Sequence, residues 1–209
     1  MKPARYRALD WRDIGSVVLA LAVALASSHG SLASDGALPV KLVLQVTVDQ
    51  LRGDMPASVL DRCGSGGLRY LAENGTWFTS AHHPHANTET IVGHVTLATG
   101  AYPSRHGLVG NVWFDAEQDR LVYNIEDPDF DATGGIGARD MDSEVDVTQV
   151  AKTEGRSPRT ILTTTFSDEL ALFYGDDAKI FAVAGKDRGA VSMAGHVGKA
   201  LWFSTADGG

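Results

Sequence analysis

Lys41-Leu42-Val43-Leu44-Gln45-Val46-Thr47-Val48 is a nearly continuous apolar and β-branched run of strand length, followed at once by Asp49-Gln50-Leu51-Arg52. A strand with so little alternation is one buried on both faces, as in a parallel sheet covered by helices. The next segments keep that order. Ala57 to Asn74 predicts a helix interrupted by glycines, and Thr76 to Phe78 a short strand, which together read β-α-β. The expectation is an α/β fold with a parallel-rich central sheet flanked by helices.

Further along, Ile91 to Thr99 has apolar residues at helical spacing and stops at Gly100, so a helix is predicted to start at or just before Thr90. Val112-Trp113-Phe114 and Leu121-Val122-Tyr123 flank a polar loop, which predicts a hairpin on the edge of the main sheet. Asp127 to Arg159 is rich in Asp, Gly, Ser and Thr and reads as a long surface excursion. Thr165-Phe166-Ser167-Asp168 matches a capping box, with a helix running to Tyr174 and ending at Gly175. Lys179 to Ala184 predicts another strand. No repeat, low-complexity tract or linker divides the chain after its first segment.

That first segment reads as a signal peptide over residues 1–33: Lys2, Arg5, Arg7 and Arg12, the apolar run Val17 to Ala26, then Ser31-Leu32-Ala33 as the cleavage site. Its roughly ten apolar residues fall short of the ~20 that a spanning helix needs. The expectation is a periplasmic or secreted protein with no stable membrane anchor after cleavage, residues 34–209 forming the mature segment. The formal net charge of -8 leaves no basic surplus to neutralise a nucleic-acid backbone, which argues against such a partner. Export permits disulfides, yet Cys63 is the single cysteine and reads as a half-buried residue at a helix end.

Ligands of open α/β sheets gather beyond the carboxyl ends of strands. Asp49 directly follows the first predicted strand, where a carboxylate can reach a metal, although an Asp there is more commonly a turn former or cap. Thr90 stands at the predicted helix start, where unpaired N–H groups favour a phosphoryl anion; as a hydroxyl it can attack phosphorus, or it can serve only as an N-cap. Lys186-Asp187-Arg188 follows a strand, and a guanidinium with an ammonium suits a tetrahedral dianion. His82, His83 and His85 read as ordinary loop histidines, because neighbours in an extended segment face opposite ways and Pro84 bends it. His94 and His106 could support the site, but neither is securely a ligand.

Taken in order, Val48 to Arg52, Asn87 to His94, Thr99-Gly100-Ala101-Tyr102-Pro103, His106 to Trp113, Gly185 to Ala190 and Ala194-Gly195-His196 resemble the PafA-like alkaline phosphatases, within the alkaline phosphatase and phosphodiesterase superfamily. The resemblance implies an alkaline-phosphatase-like fold, incomplete in this chain, with residues 34–209 as the N-terminal part of its catalytic domain. It further implies hydrolysis of small phosphate monoesters with two zinc ions, through a phosphothreonine formed at Thr90. By that resemblance Asp49 and Thr90 are metal ligands, Asn111 donates to a phosphoryl oxygen, and Lys186 and Arg188 grip the remaining oxygens. The family's other Asp and His ligands match no segment here, so the chain reads as the N-terminal fragment of such an enzyme, inactive alone.

Three other functions compete. A phosphodiesterase or nucleotide pyrophosphatase of the same superfamily would use the same threonine, but Lys186 with Arg188 favours the extra charge of a monoester. A sulfatase needs a Cys or Ser nucleophile in a motif absent here. A non-catalytic module that captures anions at the Thr90 helix end needs no further ligands.

Overall fold

The computed structural model of the chain describes residues 40–130, 150–153 and 155–203. The predicted signal segment lies outside them, as does most of the predicted excursion. The chain divides into two units, Met1–Val46 and Thr47–Gly209. In the first, residues 40–46 are exposed and carry no regular element.

The second unit opens with α1 (Met55–Val59), a 3-10 turn (Leu60–Arg62) and α2 (Gly67–Asn74). The predicted helix is thus two pieces, parted at the run Cys63 to Gly66, where two glycines and an extended backbone at Cys63 interrupt it. Next come α3 (Thr90–Thr99) and the short α4 (Pro103–His106), each closed by a left-handed glycine, Gly100 and Gly107. The hairpin β1 (Val112–Asp115) and β2 (Arg120–Tyr123) pairs antiparallel, Val112 opposite Tyr123 and Asp115 opposite Arg120. Then follow α5 (Phe166–Tyr174), β3 (Phe181–Ala184), α6 (Asp187–Ala194) and β4 (Lys199–Trp202). The capping box forms as its sequence predicts: Thr165 Oγ1 accepts from the Asp168 N–H, and the Asp168 carboxylate accepts from the Thr165 N–H.

β3 and β4 run parallel with α6 crossing between them, a β-α-β unit. The apolar face of α3 (Ile91, Val92, Val95, Ala98) is buried, and so are Gly189, Ala190, Val191 and Ala194 of α6. These two helices pack on each other, and small residues let them approach closely. The core gathers Ile91, Val92 and Val95 with Leu108, Tyr123, Ile125, Ile161 and Val191. At about 1.5–3 kcal/mol for each large apolar side chain removed from water, this cluster is the main source of the unit's stability.

Four expectations are corrected. Residues 41–48 form no strand: Leu42, Leu44, Val46 and Val48 are exposed, and no other described segment pairs with this run. A strand is a property of a pair, so an apolar run without a ladder partner stays irregular. Thr76 to Phe78 is likewise exposed and unpaired. Among the described residues the hairpin stands as its own two-stranded sheet rather than on the edge of a larger one. The two ends of the predicted excursion are only partly on the surface: Asp129, Phe130 and Arg159 are exposed, but Asp127, Arg156 and Ser157 are buried, with Ser157 Oγ donating to Asp127 Oδ2 at 2.6 Å. β4, which the sequence reading did not foresee, completes the parallel pair.

Candidate active site

Thr90 is the first residue of α3, with Glu89 in the N-cap position but giving no side-chain cap to the helix. The first turn is held instead by the loop before β1. The Ile91 N–H donates to Asn111 Oδ1 at 3.1 Å, and the Glu89 carboxylate accepts the Asn111 N–H at 2.5 Å. Asn87 adds a third tie, its Nδ2 donating to the Val109 carbonyl at 2.7 Å while its Oδ1 accepts the Glu89 N–H. Gly110 makes this approach possible: a Cβ there would lie 3.1 Å from the Val112 carbonyl oxygen and 3.5 Å from Glu89 Oε2. With Oδ1 engaged, the NH2 end of Asn111 is the end that can donate to a ligand.

The Thr90 hydroxyl donates to Asp49 Oδ2 at 3.2 Å, joining residues 41 positions apart in sequence. Asp49 is exposed and sits where the chain turns through Gln50, whose φ of 60° lies in the left-handed region that non-glycine residues seldom occupy. Such a conformation costs about 1 kcal/mol or more, which the surrounding structure must offset. His94 lies one turn below Thr90 and donates from Nδ1 to the Thr90 carbonyl at 2.8 Å.

Lys186 is the N-cap residue of α6, and Asp187 and Arg188 form its first turn. Asp187 is buried and multiply bonded: Oδ1 accepts from the Tyr123 hydroxyl and the Arg188 N–H, each at 2.7 Å, and Oδ2 accepts from Arg156 Nε at 2.7 Å. Burial first, and then the Asp187 charge, push the Tyr123 phenol far above its ordinary value, so it stays protonated and donates. Arg188 is 7% exposed, and its Nε is buried without a hydrogen-bond partner. A buried guanidinium donor left in that state favours an incoming anion.

Two links tie this turn to Thr90. Tyr123 sits across the hairpin from Val112, the neighbour of Asn111. A Cβ on Gly189 would be 3.9 Å from His94 Nε2, on the helix that Thr90 begins. Asp49, Thr90 and Asn111 are therefore in one hydrogen-bonded group, and the Lys186 to Arg188 turn joins it through a cross-strand pair and a helix contact. The sequence reading missed the supporting residues Glu89, Tyr123 and Arg156. Glu89 lay inside a quoted motif, but nothing local marked the other two.

The remaining histidines separate from this group. His106 is buried, with Nδ1 accepting the Leu108 N–H and Nε2 facing Thr96 Oγ1 at 3.1 Å; burial first, then His85, lower its pKa, which suits a neutral structural imidazole. His82 and His83 are exposed, and His85 packs near His83, its pKa lowered by burial and then by that neighbour. Among the described residues no three or more His, Cys, Asp or Glu side chains come together as a metal site. Asp49 and Thr90 place a carboxylate and a hydroxyl oxygen side by side, which fits two positions of a zinc shell but not the three or four that zinc requires. Cys63 is a free, half-buried thiol, as expected. None of the helices among the described residues is long and apolar enough to cross a membrane.

A family model described as type I phosphodiesterase / nucleotide pyrophosphatase matches residues 43–174. Alkaline phosphatase PhoV of Synechococcus elongatus is 32% identical over 169 residues, covering 80% of this chain and 28% of that protein. Alkaline phosphatase PafA of Elizabethkingia meningoseptica is 31% identical over 169 residues, covering 80% of this chain and 29% of its own length. The crystal structure of wild-type alkaline phosphatase PafA matches with a TM-score of 0.68 at 30% identity, over 82% of this chain and 31% of that one. A PafA variant with one Thr changed to Ser, and an Asn, a Lys and an Arg changed to Ala, matches with a TM-score of 0.64 at 27% identity, over 77% of this chain and 29% of that one. The chain shares their α/β fold over that part and spans under a third of the length of these relatives.

Proposed function

Because this chain belongs to the type I phosphodiesterase / nucleotide pyrophosphatase family, we propose that it supplies the nucleophile and the phosphate-binding residues of an exported, zinc-dependent phosphate monoesterase. The observation that carries this reading is the group at the start of α3. Thr90 presents its hydroxyl 3.2 Å from Asp49, and Asn111, with its Oδ1 engaged by the Ile91 N–H, offers amide hydrogens beside it. Relatives named alkaline phosphatase support a monoester as substrate. The substituted PafA variant adds support: its Thr to Asn and Lys to Arg separations along the chain equal those of Thr90 to Asn111 and Lys186 to Arg188.

In this reading Thr90 Oγ1 attacks phosphorus in line with the ester oxygen. The O–P bond forms as the ester P–O bond breaks, and the ester oxygen leaves as the alcohol, ending with the proton that Thr90 gives up. Asn111 and Arg188, with Lys186, hold the three equatorial oxygens and spread their charge. Water then attacks phosphorus, and Thr90 regains its hydrogen as phosphate departs. Asp49 and Thr90 would be two of the zinc ligands, and zinc, when bound, supplies charge that lowers the pKa of the attacking hydroxyl. Further ligands would have to come from outside the described residues. The basic and apolar start of the sequence, residues 1–33, supports export to the periplasm or beyond.

The family description favours a second reading, hydrolysis of phosphodiesters or nucleotide pyrophosphates by the same threonine. Charge separates the two, since a monoester brings two negative charges and a diester one. Replacing both Lys186 and Arg188 by Ala should lower monoester turnover on the order of a hundredfold, from two charge-assisted contacts, and diester turnover far less. The measurement is the ratio of the two rates in the full-length protein, with zinc content checked. A ratio that does not move would put the diesterase reading ahead.

A further inference from the structure

We infer that Arg156 is a positioning residue for the phosphate grip, neutralising Asp187 so that the turn between β3 and α6 presents net positive charge to an anion. The inference rests on the reading of Lys186 and Arg188 as that grip. Such a turn has a built-in contradiction: a carboxylate sits between the two cations that are to receive a dianion. The structure resolves it with a distant guanidinium. Arg156 and Asp187 are 9% and 7% exposed, and Arg156 Nε donates to Asp187 Oδ2 at 2.7 Å.

Arg156 is itself fixed. Its NH1 donates to the Thr153 carbonyl at 2.7 Å and the Gly155 carbonyl at 2.9 Å, and its guanidinium lies 5.2 Å from the centre of the Tyr123 ring. Tyr123 takes the other carboxylate oxygen. Both Asp187 oxygens are thereby drawn to the side of the hairpin and of Arg156, while Arg188 Nε remains buried without a partner. In a buried setting of low effective dielectric, an unneutralised carboxylate beside Arg188 would pair with it and repel the incoming anion. Without Arg156, Arg188 would be spent on Asp187. Arg156 touches neither the substrate nor the attacking oxygen; it acts only through Asp187.

The test is the affinity for inorganic phosphate of the full-length protein, by calorimetric titration, with KM and kcat for a monoester in parallel. Arg156→Met is expected to weaken phosphate by about tenfold or more, the scale of one charge contact, with KM rising more than kcat falls. Adding Asp187→Asn in that background should return the affinity to within about threefold of wild type. Asp187→Asn with Arg156 in place should bind phosphate more tightly than wild type, since one negative charge has left the turn. A purely structural Arg156 predicts neither the rescue nor the gain. Persistent weakening in the double variant, or wild-type affinity in Arg156→Met, overturns the inference. Should Arg156→Met fail to fold, the other two variants decide: weakening of about tenfold or more in either overturns it. A wild-type protein that binds no phosphate would overturn the monoesterase reading and this inference together.

Discussion

The two helix starts that meet at the site are built by opposite means. At α3, Thr90 is only partly buried, and its turn is held at the surface by Asn87 and Glu89 just before it and by Asn111, 20 positions beyond Ile91, with Asp49 exposed beside it. At α6, Asp187 and Arg188 are buried, and Asp187 is held by Arg156 and Tyr123, 31 and 64 positions away. On the proposed reading Thr90 must stay open to its substrate, and it is therefore held by hydrogen bonds at the surface rather than by burial. A cluster of like charges needs counter-charge, and the interior supplies it from distant segments. The α3 start should therefore govern rate with little effect on stability, and the α6 start should govern both.

The largest effect belongs to Thr90→Ala in the full-length protein. Turnover of monoester and diester alike should fall by on the order of 10^3 or more, while the unfolding free energy moves by less than about 0.5 kcal/mol. Phosphate release and denaturant unfolding measure the two halves. A large stability loss with Thr90→Ala would erase the contrast.

Arg156→Ala is expected to act the other way, costing roughly 3–5 kcal/mol of stability because it removes one partner of a buried ion pair. Asp187→Asn added to it should recover much of that loss. Thermal unfolding of the two variants reads this directly, and equal midpoints would show that the ion pair does not hold the turn.

Asn111→Ala falls between the two. It removes the proposed donor to phosphate and the acceptor of the Ile91 N–H, so monoester kcat/KM should drop about tenfold to a hundredfold, with a stability loss of about 1 kcal/mol. A change in stability alone would make Asn111 a brace for α3 rather than a contact to phosphate.

The smallest effect is at the α5 cap, away from both starts. Thr165→Ala should cost about 1 kcal/mol and leave kcat unchanged. Asp168 titrates with this cap: burial is the largest influence and raises its pKa, but hydrogen bonds from His196 and Thr165 together outweigh it and hold the carboxyl below its ordinary value. A folded pKa below the unfolded one stabilises above the ordinary carboxylate range, and that contribution is lost as pH falls through the folded value. Urea midpoints across the acid range should therefore fall less steeply in Asp168→Asn than in wild type. Parallel slopes would remove Asp168 from the acid response.

Much of this was legible along the chain. The start of α3 at Thr90 and its end at Gly100, the box at Thr165 and Asp168, and the hairpin of Val112 with Tyr123 all follow from short-range spacing. Failures came where a partner was needed from far away. Lys41 to Val48 carries a strand's composition, yet it makes no ladder among the described residues, because composition cannot provide a neighbour. β4 escaped notice for the complementary reason: it exists by pairing with β3.

By itself, then, the sequence determined the candidate residue types and the local geometry that presents them: a threonine opening a helix, an asparagine before a hairpin, two cations around an aspartate. Those depend on caps, periodicity and neighbours a few residues apart. Tertiary structure alone decided that Asp49 reaches Thr90 and that Arg156, from a stretch read as surface, neutralises Asp187. A buried charge must find its counter-charge wherever the fold brings one, and no local pattern encodes which segment that will be.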